Sequence, residues 1–399
     1  MKKLLLSFLL LPLLQGCADA DDSSESPSSG YSLTDAGPGG LGGPGGSGGS
    51  GSSNNPGGSS QAGVITAGEW NDLRNWGFWL DVLKRPAWTE LPAQWQLYSA
   101  ERYTLTFTDA AGQPLAGARV TVGPNPAATG VTAGVTDRLG RVELFPTLFQ
   151  PVGSSAALPI QVSYQGRTFT PAPVPATERQ ATRVVAATPT VATPVDIMFV
   201  VDATGSMGDE INYLKTELRD VVTRAEAQVP AADLRLASVF YRDKGDEYVT
   251  RALPFTQNVN QLLTFVQAQG PGGGGDFPEA VDEALSVALQ QKWSTEARCR
   301  LLFLVLDAPP HDEARTRIQE LTRAAARQGI RLIPITASGI DTSTEFVMRT
   351  LALSTGGTYV FITNHSGIGN THLEASVGDY QVEYLNNLLV RLITEYSKS

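Results

Sequence analysis

Asp202-Ala203-Thr204-Gly205-Ser206 closes a strongly apolar run over residues 195–201 and opens a helical pattern in which Ile211, Leu214, Leu218 and Val221 share one stripe. One carboxylate and two hydroxyls are thereby collected where a buried strand turns into a helix. Hard oxygen ligands of this kind suit a small divalent cation such as Mg²⁺. In an open α/β sheet, the edge at the carboxyl ends of the strands is also where ligands bind.

Working outward, apolar runs alternate with amphipathic ones. The pattern predicts strands over 195–202, 234–241, 249–255, 300–307, 331–336 and 358–363. It predicts helices over 207–228, 261–269, 278–291, 312–328, 344–354 and 380–396. Strongly apolar strands alternating with helices imply a doubly wound, mostly parallel, Rossmann-like α/β sheet covered on both faces, here spanning 194–397.

Two further loops belong with the first. Gly272-Gly273-Gly274-Gly275-Asp276-Phe277-Pro278-Glu279 lets the backbone approach closely and sets Asp276 before a helix. Asp307 ends the apolar strand over 301–306 and precedes Ala308-Pro309-Pro310-His311. Asp202 and Asp307 terminate separate parallel strands and so meet at one edge. Singly, each of these residues also serves as a helix cap or turn former. Tyr241-Arg242-Asp243 and Lys244-Gly245-Asp246 end the second strand near the same edge. These residues line the site, bind a second cation or form a solvated charged loop; Asp243 and His311 are the candidates for lining it, His311 without a metal role. His311, His365 and His372 lack the spacing of a zinc site.

The first loop resembles the D-x-[ST]-x-S signature of the von Willebrand factor type A domain, and all three loops follow in that family's order. The resemblance implies a metal-ion-dependent adhesion site in which Asp202 and Asp307 supply carboxylates and Thr204 and Ser206 supply hydroxyls. Where the family places a threonine on the second loop, Asp276 stands here, a pattern similar to the subset found in hemicentin and in some α-kinase-associated proteins. The implied cofactor is Mg²⁺, or Mn²⁺ or Ca²⁺, and the implied activity is binding rather than catalysis. Three carboxylates around the ion predict tighter metal binding and a weaker pull on an acidic partner residue. The same stretch also resembles the D-x-T-G-[ST] loop of phosphoryl-transfer enzymes with an aspartyl nucleophile. Those enzymes need a lysine on the phosphate, for which Lys244 is the candidate at a strand end.

The rest of the chain reads as anchor and support. Lys2 and Lys3 precede an apolar stretch over residues 4–14 and then Leu14-Gln15-Gly16-Cys17. Residues 1–17 resemble a bacterial lipoprotein signal with a lipobox, which implies lipidation of Cys17; Ala18 after it implies the outer membrane. Residues 18–62 are rich in Gly, Ser, Asp and Pro and predict a disordered, flexible tether. Residues 63–98 carry Trp70, Trp76, Trp79, Trp88 and Trp95, a hydrophobic plug packed on the following domain or an aromatic platform. Residues 99–186 alternate in short strands separated by turns and predict a small antiparallel β-sandwich. The string from Thr108-Asp109 through Gly112-Gln113-Pro114-Leu115, Gly117-Ala118, Thr136-Asp137 and Gly140 resembles the carboxypeptidase-regulatory-like sandwich. A Pro/Thr/Ala-rich connector covers 171–194.

A net charge of −10 argues against nucleic acid as the partner. Two cysteines, one of them Cys17, exclude a disulfide framework and leave Cys299 as a core thiol. The expected protein is a surface-anchored lipoprotein that engages a protein or extracellular polymer ligand. The alternative is an envelope scaffold whose metal is structural.

Overall fold

The computed structural model describes residues 65–123, 132–150, 157–364 and 374–398. The expected signal with Cys17, the whole tether segment 18–62, and His365 and His372 lie outside the described residues.

The chain begins its described course with strand β1 (Thr66–Trp70) and two short helices, α1 (Trp76–Val82) and α2 (Leu91–Trp95). Seven short strands follow: β2 (Tyr103–Thr108), β3 (Arg119–Val122), β4 (Thr132–Val135), β5 (Arg141–Leu144), β6 (Ile160–Tyr164), β7 (Arg167–Phe169) and β8 (Gln180–Val184). The α/β part then runs β9 (Pro194–Asp202), α3 (Gly208–Gln228), β10 (Asp233–Tyr241), β11 (Thr250–Thr256), α4 (Val259–Gln267), α5 (Val281–Leu289) and β12 (Cys299–Leu306). It continues with α6 (Arg315–Gln328), β13 (Ile330–Thr336), α7 (Thr342–Thr355), β14 (Tyr359–Ile362), β15 (Val382–Tyr384) and α8 (Leu385–Lys398).

The large sheet has the order β11-β10-β9-β12-β13-β14-β1-β15. Its strands from β10 to β14 are parallel, and β11, β1 and β15 add antiparallel margins. Side chains alternate across a strand, so β9 feeds two cores. Ile197, Phe199 and Val201 pack under α3, α4 and α8, while Met198 and Val200 pack under α5, α6 and α7. Phe199 stacks on Phe303 of β12 with ring centroids 5.4 Å apart. Apolar residues on both faces explain why these strands read as continuous apolar runs. The expected doubly wound sheet is the fold found, with strand limits close to those expected.

The margin of the sheet is where sequence and structure part. β1, from the tryptophan-rich segment, inserts antiparallel between β14 and β15, pairing Gly68 with Phe361 and with Val382. The α/β domain is thus assembled from two pieces of chain with the sandwich strands between them. Trp70, Trp79, Trp88 and Trp95 supply core to the α/β domain, while the half-buried Trp76 packs on Phe145, just after β5 of the sandwich, at 6.0 Å. Trp79 and Trp88 are buried and meet Phe346 of α7 at 6.2 and 6.1 Å. Beside them Arg349, with no exposed surface, binds Asp72, Glu345 and the Ser376 carbonyl.

The sandwich consists of a sheet β5-β2-β8 and a sheet β4-β3-β6-β7. Tyr103, Leu105 and Phe107 of β2 face Val120, Val122, Ile160 and Val162 in one core. Gln165 and Gly166, both with positive φ, form the tight turn of the β6–β7 hairpin. β8 pairs parallel to β2, so the sandwich is not wholly antiparallel, and β8 lies inside the stretch expected to be connector. Its only buried residue is Ala181, which leaves no apolar alternation to read.

Candidate functional site

β9 and β12 run parallel in register, Val201 beside Val305, so their ends bring Asp202 and Asp307 to one edge. β10 ends on the same edge with Tyr241 beside Asp202. Asp202 is fully buried. Its Oδ1 accepts the Thr204 backbone N–H at 2.9 Å and the Thr204 hydroxyl at 2.8 Å. The Oδ2 atom has no hydrogen-bond partner. Ser206 is exposed and its hydroxyl faces the Asp307 carboxylate.

The glycine-rich loop is laced onto this turn through the backbone. Ala203 carbonyl accepts Gly272 N–H at 3.0 Å and Arg242 Nε–H at 3.2 Å, and Gly205 N–H donates to Gly273 carbonyl at 3.3 Å. Asp246 Oδ2 accepts Gly274 N–H at 2.9 Å and Asp243 N–H at 3.1 Å. Gly273 has φ of 77°, and the Asp246 carboxylate fills the space a Cβ would need there. Only glycine serves at that position, because both the backbone angle and the close carboxylate exclude a side chain.

The loop then turns Glu279 inward and Asp276 outward. Glu279 is 4% exposed, its N–H bonds Pro309 carbonyl at 2.9 Å, and its Oε2 has no partner. Asp276 is exposed. Glu279 is thus a second-loop carboxyl buried with Asp202, while Asp276, the expected ligand of this loop, lies exposed as Ser206 does.

Several acids crowd one another here. Burial pushes Glu279 up to about 9, with Asp202, Asp243, Asp307 and Asp246 adding to the effect. Burial raises Asp202 to about 7, against the hydrogen bond from Thr204 N–H and with help from Asp307. Asp307 is raised by burial and held back by Ser206. Glu210, at the start of α3, is raised to about 7 by burial, with Asp307 and Asp209 adding to it. The Tyr241 hydroxyl is buried against Asp202, and burial and the Asp202 charge suppress its ionisation. Each carboxylate that ionises here raises the cost for the next.

Such a set calls for a cation, and the donor chemistry fits a hard divalent ion: an unpartnered carboxylate oxygen, two hydroxyls and a second aspartate. Among the described residues, no three His, Cys, Asp or Glu side chains stand together as a ready-made metal cage. An ion would rely on Asp202, Asp307, the hydroxyls of Thr204 and Ser206, and water.

Of the residues singled out in the sequence, Asp202, Thr204, Ser206 and Asp307 come together, as do Asp243 and His311. Asp243 is buried and its Oδ1 lies 2.7 Å from His311 Nε2, which joins the β10 loop to the β12 loop. Lys244 is exposed and paired with Glu313 at 3.8 Å. Glu210 was not expected at the site, while Tyr241 and Asp246 belong to the β10 loop read as either site-lining or solvated. Glu279 and Asp246 stood in motifs already quoted, but nothing local distinguishes the inward acid of a loop from the outward one.

Comparison with known proteins agrees with the fold. Residues 196–369 match the family described as von Willebrand factor A domain. An ariadne-like RING finger protein of Acanthamoeba polyphaga mimivirus is 29% identical over 123 residues, covering 31% of this chain and 12% of that protein. The alpha-protein kinase vwkA of Dictyostelium discoideum is 28% identical over 119 residues, 29% of this chain and 19% of that protein. The von Willebrand factor A domain-containing protein 7 of Mus musculus is 31% identical over 137 residues, 32% of this chain and 13% of that protein. This chain spans less than a fifth of the length of each of these relatives.

Proposed function

We propose that the von Willebrand factor A domain carried at residues 196–369 is a metal-dependent binding module, with Mg²⁺, or Mn²⁺ or Ca²⁺, held by Asp202, Thr204, Ser206 and Asp307. The observation behind this reading is the buried Asp202 Oδ2, which has no donor although its sister oxygen has two. An unmade charge-assisted contact on a buried carboxylate is costly, and a ligand that completes it is strongly favoured. Thr204 orients Asp202, Asp246 pins the glycine loop, and the buried Glu279 carboxyl stands behind the ligands. When bound, the ion neutralises these acids and offers a coordination position to an oxygen of a partner. The partner in this reading is a protein or an extracellular polymer.

Lys244 is turned to Glu313 rather than set over Asp202 as a phosphate ligand, which favours binding over phosphoryl transfer. Lipidation of Cys17 and a flexible segment over 18–62 would hold the module to the outer membrane as a tethered head. That part of the proposal rests on the residues of the signal and tether alone.

Titration of Mg²⁺, Mn²⁺ and Ca²⁺ into chelator-stripped protein, by calorimetry and thermal melting, tests the site beside Asp202→Ala. At about 100 times Kd, ion binding stabilises the fold by about 2.7 kcal/mol. This gain is expected in the wild type and absent in Asp202→Ala. No heat and no shift in the wild type would overturn the reading. Incorporation of labelled palmitate, lost in Cys17→Ser, tests the anchor.

A further inference from the structure

We infer that Arg242 is a positioning residue of this edge, and that its clamp on the first two loops sets a preference for Mg²⁺ over Ca²⁺. This inference rests on the reading of the edge as a divalent-metal site. The loop after β10 supplies none of the four proposed ligands, yet it is bonded to all three loops of the edge. The Tyr241 carbonyl accepts the Ala203 N–H of the first loop at 2.7 Å. Asp246 Oδ2 accepts the Gly274 N–H of the glycine loop at 2.9 Å. Asp243 Oδ1 meets His311 Nε2 of the third loop at 2.7 Å.

Arg242 joins two of these loops through one side chain. Its Nε donates to the Ala203 carbonyl at 3.2 Å and its Nη2 to the Gly270 carbonyl at 3.0 Å. Residues 241 and 242 thus pin both peptide groups of Ala203, the one leading from Asp202 and the one leading to Thr204. The guanidinium is itself held still. Its Nη1 lies 3.5 Å from Glu247 Oε2, its carbon lies 4.5 Å from the centre of the Tyr248 ring, and the side chain is 12% exposed. The glycine loop packs directly on it, since a Cβ at Gly272 would stand 3.0 Å from Nη2. A planar fork fixes two carbonyls at a set separation, which an ammonium on a flexible stem does not.

Rigidity of the ligand loops decides between these two ions. Mg²⁺ demands a near-ideal octahedron of oxygens at about 2.0–2.1 Å, whereas Ca²⁺ accepts more ligands, more loosely arranged, at about 2.3–2.6 Å. A loop free to drift therefore loses Mg²⁺ before it loses Ca²⁺. The backbone that carries Asp202 and Thr204 is kept from drifting by the Arg242 fork.

Calorimetric titration of Mg²⁺ and of Ca²⁺ into the chelator-stripped full chain tests this in the wild type, Arg242→Met and Arg242→Lys. In both variants Mg²⁺ affinity should fall about 10–100-fold, the range for groups that support metal ligands, and Ca²⁺ affinity by no more than about threefold. Lysine keeps the charge but does not bridge the two carbonyls, so it should not rescue. Gly272→Ala crowds Nη2 from the loop side and should shift the ratio of the two affinities the same way; it carries the test if Arg242→Met does not fold. Melting in chelator verifies that each variant is folded. Equal loss of both ions, as a generally weakened fold would give, overturns the inference, and so does wild-type Mg²⁺ affinity in Arg242→Lys. An absent Mg²⁺ heat in the wild type sinks the metal site itself, while a normal heat there with an unchanged ratio in the folded variants sinks only the role of Arg242.

Discussion

The Arg349 guanidinium closes a fork on Asp72, Nε to Oδ2 at 2.9 Å and Nη2 to Oδ1 at 2.6 Å, with both side chains buried. The fork joins the segment before the sandwich to helix α7. Trp79 and Trp88 lie against the same guanidinium, at 4.9 and 5.2 Å from its carbon. Removing one member of a buried pair strands the other charge without solvent. Arg349→Met is therefore expected to destabilise the protein by about 3–5 kcal/mol. Urea unfolding followed by tryptophan fluorescence measures it, and a loss below about 1 kcal/mol would place the pair with exposed ones in energetic weight.

β1 lies between β14 and β15, and the tryptophans cover α7. A fragment starting at residue 186 would keep the strands from β9 to β14 but uncover the β14 edge and the face of α7 that carries Phe346. Such a fragment is expected to aggregate or to unfold without cooperativity. Joining 65–98 to it by a short glycine–serine linker in place of the sandwich should restore one sharp calorimetric transition. A well-behaved fragment without 65–98 would show that the inserted strand is dispensable.

The acids of the edge set the pH dependence. Asp202 moves from 3.8 to about 7, Glu210 from 4.5 to about 7 and Glu279 from 4.5 to about 9 on folding. Between these limits the folded protein holds protons that the unfolded chain has released. Stability then falls as pH rises. With chelator present, the melting temperature should decline steadily from about pH 5 to pH 9. Mg²⁺ favours the ionised carboxylates, so it should flatten this decline and stabilise most at alkaline pH. A melting temperature in chelator that stays level or rises toward pH 9 would contradict the burial of these acids.

Glu279 and Asp276 make opposite predictions for metal binding. Glu279→Gln should lower Mg²⁺ affinity about 10–100-fold, the range seen when a group supporting metal ligands is lost. Asp276→Ala, at an exposed position, should change it by no more than about twofold, or 0.5 kcal/mol. Calorimetric titration of the two variants measures both. The reverse ranking would return the second-loop role to Asp276.

Much of this architecture was legible before any coordinates. The apolar runs of β9 and β12 and the amphipathic stripe of α3 are local patterns, and they locate the loops that carry Asp202, Thr204, Ser206 and Asp307 at one sheet edge. Asp243 and His311 were left open between lining that edge and a solvated loop, and their side chains meet at 2.7 Å. The strands β4 and β8 were not legible. β4 contains Gly134, and β8 turns only Ala181 inward, so neither displays the alternation by which a half-buried strand is recognised.

The sequence by itself determined the doubly wound sheet and the placing of three acidic loops on its carboxyl edge, because periodicity and strand ends are properties of neighbouring residues. Tertiary structure alone decided that Glu279 rather than Asp276 turns inward. The loop that carries both acids is held by Asp246, which accepts the Gly274 N–H across 28 positions. Tertiary structure likewise decided that β1 completes the sheet and that Asp72 meets Arg349, a contact across 277 positions. Pairings over such distances leave no periodic trace. They arise when a buried charge or an open strand edge must find its partner wherever the folded chain has brought one.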